Sequence, residues 1–137
     1  MNDFVLDPRL DGDTLEIMRW PLSLVLLMND ARYPWLMLVP RRVGVSELTD
    51  LSDADQLQLH RESMALTQFM KTWFEAEKMN VASLGNVVAQ LHVHHVARYQ
   101  SDESWPAPVW GRGEAQRYTP EACQTLLAAL KEALPTL

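Results

Sequence analysis

The segment QLHVHHV, residues 90–96, holds three of the four histidines of this 137-residue chain. In a β-strand, side chains alternate between the two faces, so His92 and His94 share one face and lie roughly 7 Å apart. Gln90 falls in phase with them, whereas the positions between them are apolar apart from His95. The pattern predicts one polar face that lines a cleft and one apolar face that packs on the core. His95 is then a packing residue, unless a bulge turns it outward.

Two imidazoles on one strand face can share the work of a reaction near neutral pH. One acts as nucleophile or base, and the other donates a proton or stabilises charge. A phosphoryl centre suits such a pair, because imidazole can form a transient covalent bond to phosphorus. A metal site is an alternative, since His-x-His on a strand is a common pair of zinc ligands. It would need a distant acidic residue as third ligand, because no further histidine is in phase and the chain has one cysteine.

Composition narrows the class of protein. The net charge is -6, so broad binding to nucleic acid or to an anionic membrane is disfavoured, and phosphate would need a local site. One cysteine excludes an intramolecular disulfide. The first residues lack the basic start of a signal peptide, and the longest apolar run, residues 22–28, is far shorter than the ~20 residues of a membrane helix. We expect a cytoplasmic protein with one domain over residues 1–137 and no cofactor.

Short apolar runs predict the strands. Residues 15–19, 23–28 and 35–39 are strand candidates, and the second and third of them form an antiparallel hairpin. Two more candidates, residues 80–84 and 87–96, follow later in the chain. The last of these contains the histidine segment, so we expect the histidines to lie on a strand of the same sheet.

Two helices complete an α+β pattern. Ser52 is the expected cap of a long helix that runs to about residue 78, and Thr119 with Pro120 opens a C-terminal helix. The residues between them, 99–118, show no periodicity, which in a small domain is typical of a functional loop or an interface. Its aromatic part, residues 105–111, either closes over a site, packs across an interface or is an ordinary packed loop.

Residues 85–98, GNVVAQLHVHHVAR, resemble the strand motif of the histidine-triad (HIT) family. That motif alternates three histidines with apolar residues, ends in two apolar residues and follows a segment with glycine and an amide. The hairpin is also similar, since Met28-Asn29-Asp30 ends one strand and the next strand ends at Pro40. The resemblance covers about residues 15–98, with a loop and helix at 99–137. It implies an antiparallel sheet of about five strands with a long helix and a C-terminal helix, and a homodimer that joins two sheets.

The resemblance also implies roles for individual residues. His92 stands at the central histidine of the motif, the nucleophile that takes up the nucleotidyl group. His94 stands at the last histidine, which contacts phosphate and assists proton transfer. Asn86 falls near an amide that binds phosphate, and Asn29 or Asp30 falls near the polar residue that holds the ribose.

The resemblance indicates three further candidates, and two of them stand at positions where the family has histidine. Gln90 replaces the first motif histidine and can still donate and accept hydrogen bonds, so it joins the catalytic candidates. Trp35 replaces a separate upstream histidine and offers an indole N–H or a stacking face to a nucleotide. Arg98 follows the motif and either reaches a phosphate or lies on the surface.

These residues support three hypotheses. The first is a hydrolase or nucleotidyl transferase that acts on a nucleoside phosphoramidate or a dinucleoside polyphosphate through a nucleotidyl-histidine intermediate. The second is a nucleotide-binding module left catalytically silent by Gln90 and Trp35. The third is the metal-binding protein.

Overall fold

Five antiparallel strands form one sheet in the computed structural model, which describes residues 3–137. The strands are β1 (Thr14–Arg19), β2 (Ser23–Met28), β3 (Trp35–Pro40), β4 (Lys78–Ala82) and β5 (Val93–Arg98). Their order across the sheet is β1-β2-β3-β5-β4. The histidine strand β5 is therefore an inner strand, paired with β3 on one side and β4 on the other.

Three α-helices accompany the sheet, namely α1 (Pro8–Asp13), α2 (Asp53–Trp73) and α3 (Pro120–Ala133), and a short 3-10 helix spans Leu48–Asp50. Both expected caps are present, because Ser52 accepts a hydrogen bond from the N–H of Asp55 and Thr119 accepts one from the N–H of Ala122. The expected α+β fold, with a five-stranded antiparallel sheet, a long helix and a C-terminal helix, is confirmed. No helix within residues 3–137 combines the length and apolar character needed to cross a bilayer.

Both faces of the sheet are covered, which explains why the inner strands β2 and β3 are almost entirely apolar and why every residue of β5 is buried. On the first face, alternate strand residues pack with α2 and α3. These are Val25, Leu27, Leu36, Leu38 and Val93, with Leu66, Met70 and Leu130 from the helices. On the second face, the intervening residues form a separate cluster with α1 and the 99–118 segment. These are Leu24, Leu26, Trp35, Met37, Val39 and Val96, with Leu10 and Val109.

Three predicted boundaries are wrong. Helix α2 ends at Trp73 instead of about residue 78, because Glu75 takes a left-handed conformation (φ 52°) that reverses the chain. Strand β4 then starts two residues earlier than expected. Strand β5 starts at Val93 instead of residue 87, because its ladder with β3 ends at the Leu38–Val93 pair. The N–H of Leu91 instead bonds the carbonyl of Val45, outside the sheet.

Helix α1 was not predicted either, since the sequence indicated only a turn at residues 11–13. Asp7 caps this helix by accepting a hydrogen bond from the N–H of Arg9, and Pro8 occupies its first turn. The helix buries Leu10 against the second face of the sheet. It thereby brings the N-terminal segment next to the histidine strand.

Arg98, at the end of β5, holds the 99–118 segment against the sheet. Its side chain is 1% exposed, and its Nε and Nη2 donate to the two carboxylate oxygens of Asp102 at 2.8 and 2.9 Å. It also donates to the side chain of Asn80 and to the carbonyl of Ala107. Hydrogen bonding to Arg98 lowers the pKa of Asp102 to about 2, against the opposing effect of burial. The irregular segment is thus organised around one buried ion pair.

Replacing this arginine should be costly. We expect Arg98→Met to lower the free energy of unfolding by about 3 kcal/mol, because it leaves the carboxylate of Asp102 buried without its partner. Chemical denaturation measures the change. The control is Arg19→Met, which removes an exposed ion pair to Glu16 and should cost less than about 1 kcal/mol. Equal losses in the two variants would contradict the central role of Arg98.

Candidate active site

A cavity of about 440 Å³ opens on the second face of the sheet, the face away from α2. Segments that are distant in sequence line it: α1, the loop between β2 and β3, the start of β3, residues 84–88, the histidine strand and residues 109–115. Both His92 and His94 lie in its wall, as the alternation predicts. A cavity of this size is typical of sites for small ligands.

His92 is held in one protonation pattern. Its Nδ1 lies 2.7 Å from the carbonyl oxygen of Gln90. A carbonyl can only accept, so Nδ1 carries the proton and Nε2 of the neutral ring keeps its lone pair. The rings of His92 and His94 meet edge to face, with centroids 4.8 Å apart. A nucleophilic nitrogen and a second imidazole therefore share one cavity.

His94 has aromatic neighbours on both sides. The indole Nε1 of Trp35 donates to its Nδ1 at 3.0 Å, and the ring of Trp110 lies 5.3 Å from it, centroid to centroid. Burial lowers the pKa of His94 to about 3, with smaller contributions from His92 and His95. His94 is therefore neutral at physiological pH.

His95 lies on the first face of the sheet, as the alternation predicts. It is fully buried, its Nδ1 donates to the carbonyl of Val93 at 3.1 Å, and its Nε2 accepts from the hydroxyl of Ser63 on α2 at 2.7 Å. Burial lowers its pKa to about 4, although the bond to Val93 opposes the shift. His95 joins the sheet to α2.

Of the three polar candidates that precede the histidines in sequence, two line the cavity and one does not. Asn86 and Asp30 line the cavity. Burial by itself would raise the pKa of Asp30, but hydrogen bonds from the side chain and N–H of Arg32 and from the N–H of Gln116 lower it. The side chain of Asn29 is directed elsewhere and accepts a hydrogen bond from the N–H of Tyr118 at 2.9 Å. Of the two ribose candidates, only Asp30 reaches the cavity.

Two expected placements are wrong. The side chain of Gln90 does not line the cavity with His92, because β5 begins at Val93 and the expected alternation does not extend to residue 90. It bonds instead the backbone of Val5 and Asp7, at 2.9 and 2.8 Å, and so fixes the segment that leads into α1. Arg98 reaches neither a phosphate site nor the surface, because its donors bind Asp102, Asn80 and Ala107.

Part of the cavity wall was not predicted from the sequence. Trp110 had a signal in the aromatic run 105–111, whose closure over the site was one of three expected roles. Its ring packs on Trp35, with centroids 6.1 Å apart, and within residues 3–137 its buried Nε1 has no hydrogen-bond partner. The arginines Arg9, Arg32 and Arg112 also line the cavity. No motif marks them, because α1 and the 109–115 segment reach the cavity only through the fold.

Known proteins resemble this chain in sequence and in fold. The sequence profile of the HIT domain matches residues 11–101. The chain belongs to the histidine-triad (HIT) family. A search of functionally curated proteins gave no match. The fold of this HIT protein is similar to the crystal structure of a histidine triad protein from Marinobacter aquaeolei VT8, with 46% identity, a TM-score of 0.93 and 96% of each chain covered.

Two further solved structures are comparably similar to this HIT protein. A histidine triad protein from Bradyrhizobium japonicum is 41% identical with a TM-score of 0.92, covering 96% of this chain and 98% of the other. A HIT protein from Sinorhizobium meliloti 1021 is 42% identical with a TM-score of 0.93, covering 98% and 99%. The likeness spans the C-terminal segment and helix as well as the histidine motif.

The arrangement of the candidate ligands does not favour the metal-binding hypothesis. No group of three or more His, Cys, Asp or Glu side chains in the described part of the chain is arranged to hold a metal ion. Nδ1 of His92 and Nδ1 of His94 both bond other protein groups. The acidic residues that line the cavity, Asp13 and Asp30, already pair with Arg117 at 3.1 Å and with Arg32 at 2.8 Å.

His94 and His95, which are buried and neutral, should make the free energy of unfolding of this HIT protein depend on pH. Their pKa values are lowered on folding, so below about 6.5 the unfolded chain binds protons that the folded chain does not. The free energy of unfolding should therefore be constant above pH 6.5 and fall towards pH 4, by up to about 1.4 kcal/mol per pH unit for each histidine. Urea denaturation over this range measures the slope.

A pair of variants isolates the contribution of the cavity histidine. His94→Asn should reduce the slope between pH 6 and 4 by about 1.4 kcal/mol per pH unit. His60→Asn, at an exposed position on α2, should leave the slope as in the wild type. A His94→Asn protein with the wild-type slope would show that His94 is not held neutral by the fold.

Proposed function

We propose that this HIT protein is a hydrolase or nucleotidyl transferase that acts on a nucleoside phosphoramidate or dinucleoside polyphosphate. The observation that carries the proposal is the His92–His94 pair in one cavity, with Nδ1 of His92 bound to the Gln90 carbonyl and Nε2 left with its lone pair. That nitrogen is the nucleophile. A cytoplasmic location fits the single free cysteine, Cys123.

In the first step, Nε2 of His92 bonds to the α-phosphorus while the bond from phosphorus to the leaving group breaks. The leaving group takes the bonding electron pair, and an amine also takes up a proton from solvent. The ring of His92 becomes cationic because Nδ1 keeps its proton, and the Gln90 carbonyl, 2.7 Å away, stabilises that charge. His94 binds a phosphoryl oxygen beside the reacting phosphorus.

In the second step, water attacks the phosphorus of the nucleotidyl-histidine. The phosphorus–nitrogen bond breaks, its electron pair returns to Nε2 of His92, and a proton from the water passes to solvent. The product is a nucleoside monophosphate. If another hydroxyl or amine takes the place of water, the same step is a nucleotidyl transfer.

The charged residues of the cavity suit a phosphate-bearing substrate in a chain whose net charge is -6. Arg9 and Arg112 line the cavity, and within residues 3–137 neither guanidinium pairs with another group. The amide of Asn86 lies in the same wall. We assign these three to the phosphates and Asp30 with Trp35 to the nucleoside.

Two observations favour a second candidate, a nucleotide-binding module without turnover. Gln90 bonds the backbone of Val5 and Asp7 and does not line the cavity, so its side chain does not take the place of the first motif histidine there. Trp35, at the position of the upstream histidine, cannot exchange a proton at neutral pH. In this alternative, the same cavity binds a nucleoside monophosphate and no intermediate forms.

The deciding experiment is the intact mass of the protein after brief mixing with adenosine 5′-phosphoramidate. The reaction is stopped in alkaline denaturant, because phosphorus–nitrogen bonds hydrolyse in acid. We expect an added adenylyl mass and released adenosine monophosphate with the wild type. His92→Ala should show neither, because the attacking nitrogen is gone. His60→Ala is the matched control, since His60 is the histidine outside the motif and does not line the cavity.

Each outcome separates the candidates. An adduct in His92→Ala would refute His92 as nucleophile. No adduct and no monophosphate from the wild type would refute the enzyme for this substrate. If adenosine monophosphate then still raises the melting temperature of the protein, the result supports the nucleotide-binding module.

We also propose that two copies pair through β4 to form the homodimer. Strand β4 lies at the end of the sheet, so one of its edges has no strand partner within residues 3–137. Beside it is a groove of about 400 Å³ between β4, α2 and the 3-10 helix. Exposed apolar side chains border that groove, namely Leu48, Met64 and Val81. A free strand edge next to an apolar groove suits a second copy of the chain.

A charge on the strand edge should separate the copies. Val81→Lys is expected to shift the mass measured by light scattering from dimer to monomer, because it places a charge in the proposed interface. Leu137→Lys adds the same charge at an exposed apolar residue outside the groove and should leave a dimer. A monomeric wild type at micromolar concentration would contradict the proposal.

A further inference from the structure

The hydrogen bond between Trp35 and His94 fixes more than the position of a ring. The indole Nε1 lies 3.0 Å from Nδ1 of His94, and both side chains are buried. An indole N–H can only donate, so Nδ1 must accept with its lone pair. The proton of the neutral imidazole is then on Nε2, the nitrogen opposite to the one protonated in His92.

The surroundings of His94 reinforce this arrangement. Trp35 lies on β3, whose Met37 pairs directly with His94 of β5, so the sheet itself holds the two rings together. On the other side the ring of Trp110 packs 5.3 Å from His94, centroid to centroid. If the imidazole turned over, a carbon would replace Nδ1 and leave the indole N–H buried without an acceptor.

The charged groups around His94 do not favour a second proton on its ring. His92 faces it in the cavity, and His95 adjoins it on the opposite face of the strand. Around the cavity, Asp30 is paired with Arg32 and Asp13 with Arg117, whereas Arg9 and Arg112 are cationic. In line with this, burial and the neighbouring histidines hold the pKa of His94 at about 3.

We propose that Trp35 is a positioning residue that locks His94 as the neutral imidazole protonated on Nε2. His94 then donates a fixed hydrogen bond to the phosphoryl group and does not serve as the acid of the reaction. The two rings carry their protons on opposite nitrogens, so one is a nucleophile and the other a donor. The catalytic part rests on the proposed function, whereas the protonation state of His94 does not.

Nitrogen NMR of the full-length protein with ¹⁵N-labelled histidine tests the state of His94 directly. His94→Gln assigns its signals. We expect the pattern of an Nε2-protonated neutral ring, unchanged between pH 5 and 8. A ring protonated on Nδ1, a mixture of the two forms, or protonation of His94 within this range would overturn the proposal.

Two tryptophan variants then test the cause. Trp35→Phe keeps an aromatic ring and removes the N–H, so His94 should become a mixture of the two neutral forms. Trp110→Phe also removes an indole N–H next to His94, but one that makes no hydrogen bond to it, and should leave the form of His94 unchanged. An unchanged His94 spectrum in Trp35→Phe would show that Trp35 does not set its protonation.

The kinetic consequence is separable from the spectroscopic one. If the wild type turns over a nucleotide conjugate, Trp35→Phe should lower kcat about 10-fold or more, because the N–H of His94 that is no longer fixed acts in the transition state. KM should change little, because the phenyl ring keeps a stacking face for the nucleoside. An unchanged kcat alongside a changed His94 spectrum would overturn the catalytic part alone. If the wild type shows no turnover, the proposed function and the catalytic part fail together, while the NMR result still decides what Trp35 does.

Discussion

The antiparallel pairing of β5 with β3 is the interaction on which the rest of the structure depends. It makes the histidine strand an inner strand, covered on both faces. Alternation along β5 then sends His95 to the helices and His94 to the cavity, so neighbouring residues of one chemical type acquire unrelated surroundings. The same pairing places Trp35 beside His94, because Trp35 begins the partner strand.

A second constraint closes the site. Arg98 is the last residue of β5, and its buried pair with Asp102 turns the following segment back across the sheet. This return brings Trp110 and Arg112 into the cavity wall next to α1. The catalytic candidates thus lie on β5 and just before it, and several binding candidates lie on a loop held by an ion pair, an arrangement that is common in active sites.

The sequence predicted what depends on local periodicity. The spacing of His92 and His94 was enough to place both in one cavity, and that of His95 to place it in the core. It could not predict where β5 begins, because that is decided by its ladder with β3, and Gln90 was misplaced for this reason. Arg98 was misjudged because its partners lie on β4 and in an irregular segment. The arginines of the cavity had no local signal at all.

Trp35 belongs at once to the packed cluster on the second face of the sheet and to the site. In evolutionary terms, this makes position 35 epistatic with its neighbours. Histidine at this position would leave a void against Val96 and Trp110, so it would be tolerated only if those residues were repacked. The effects of substitutions at positions 35, 96 and 110 should therefore not be additive, because each one changes the space left for the others.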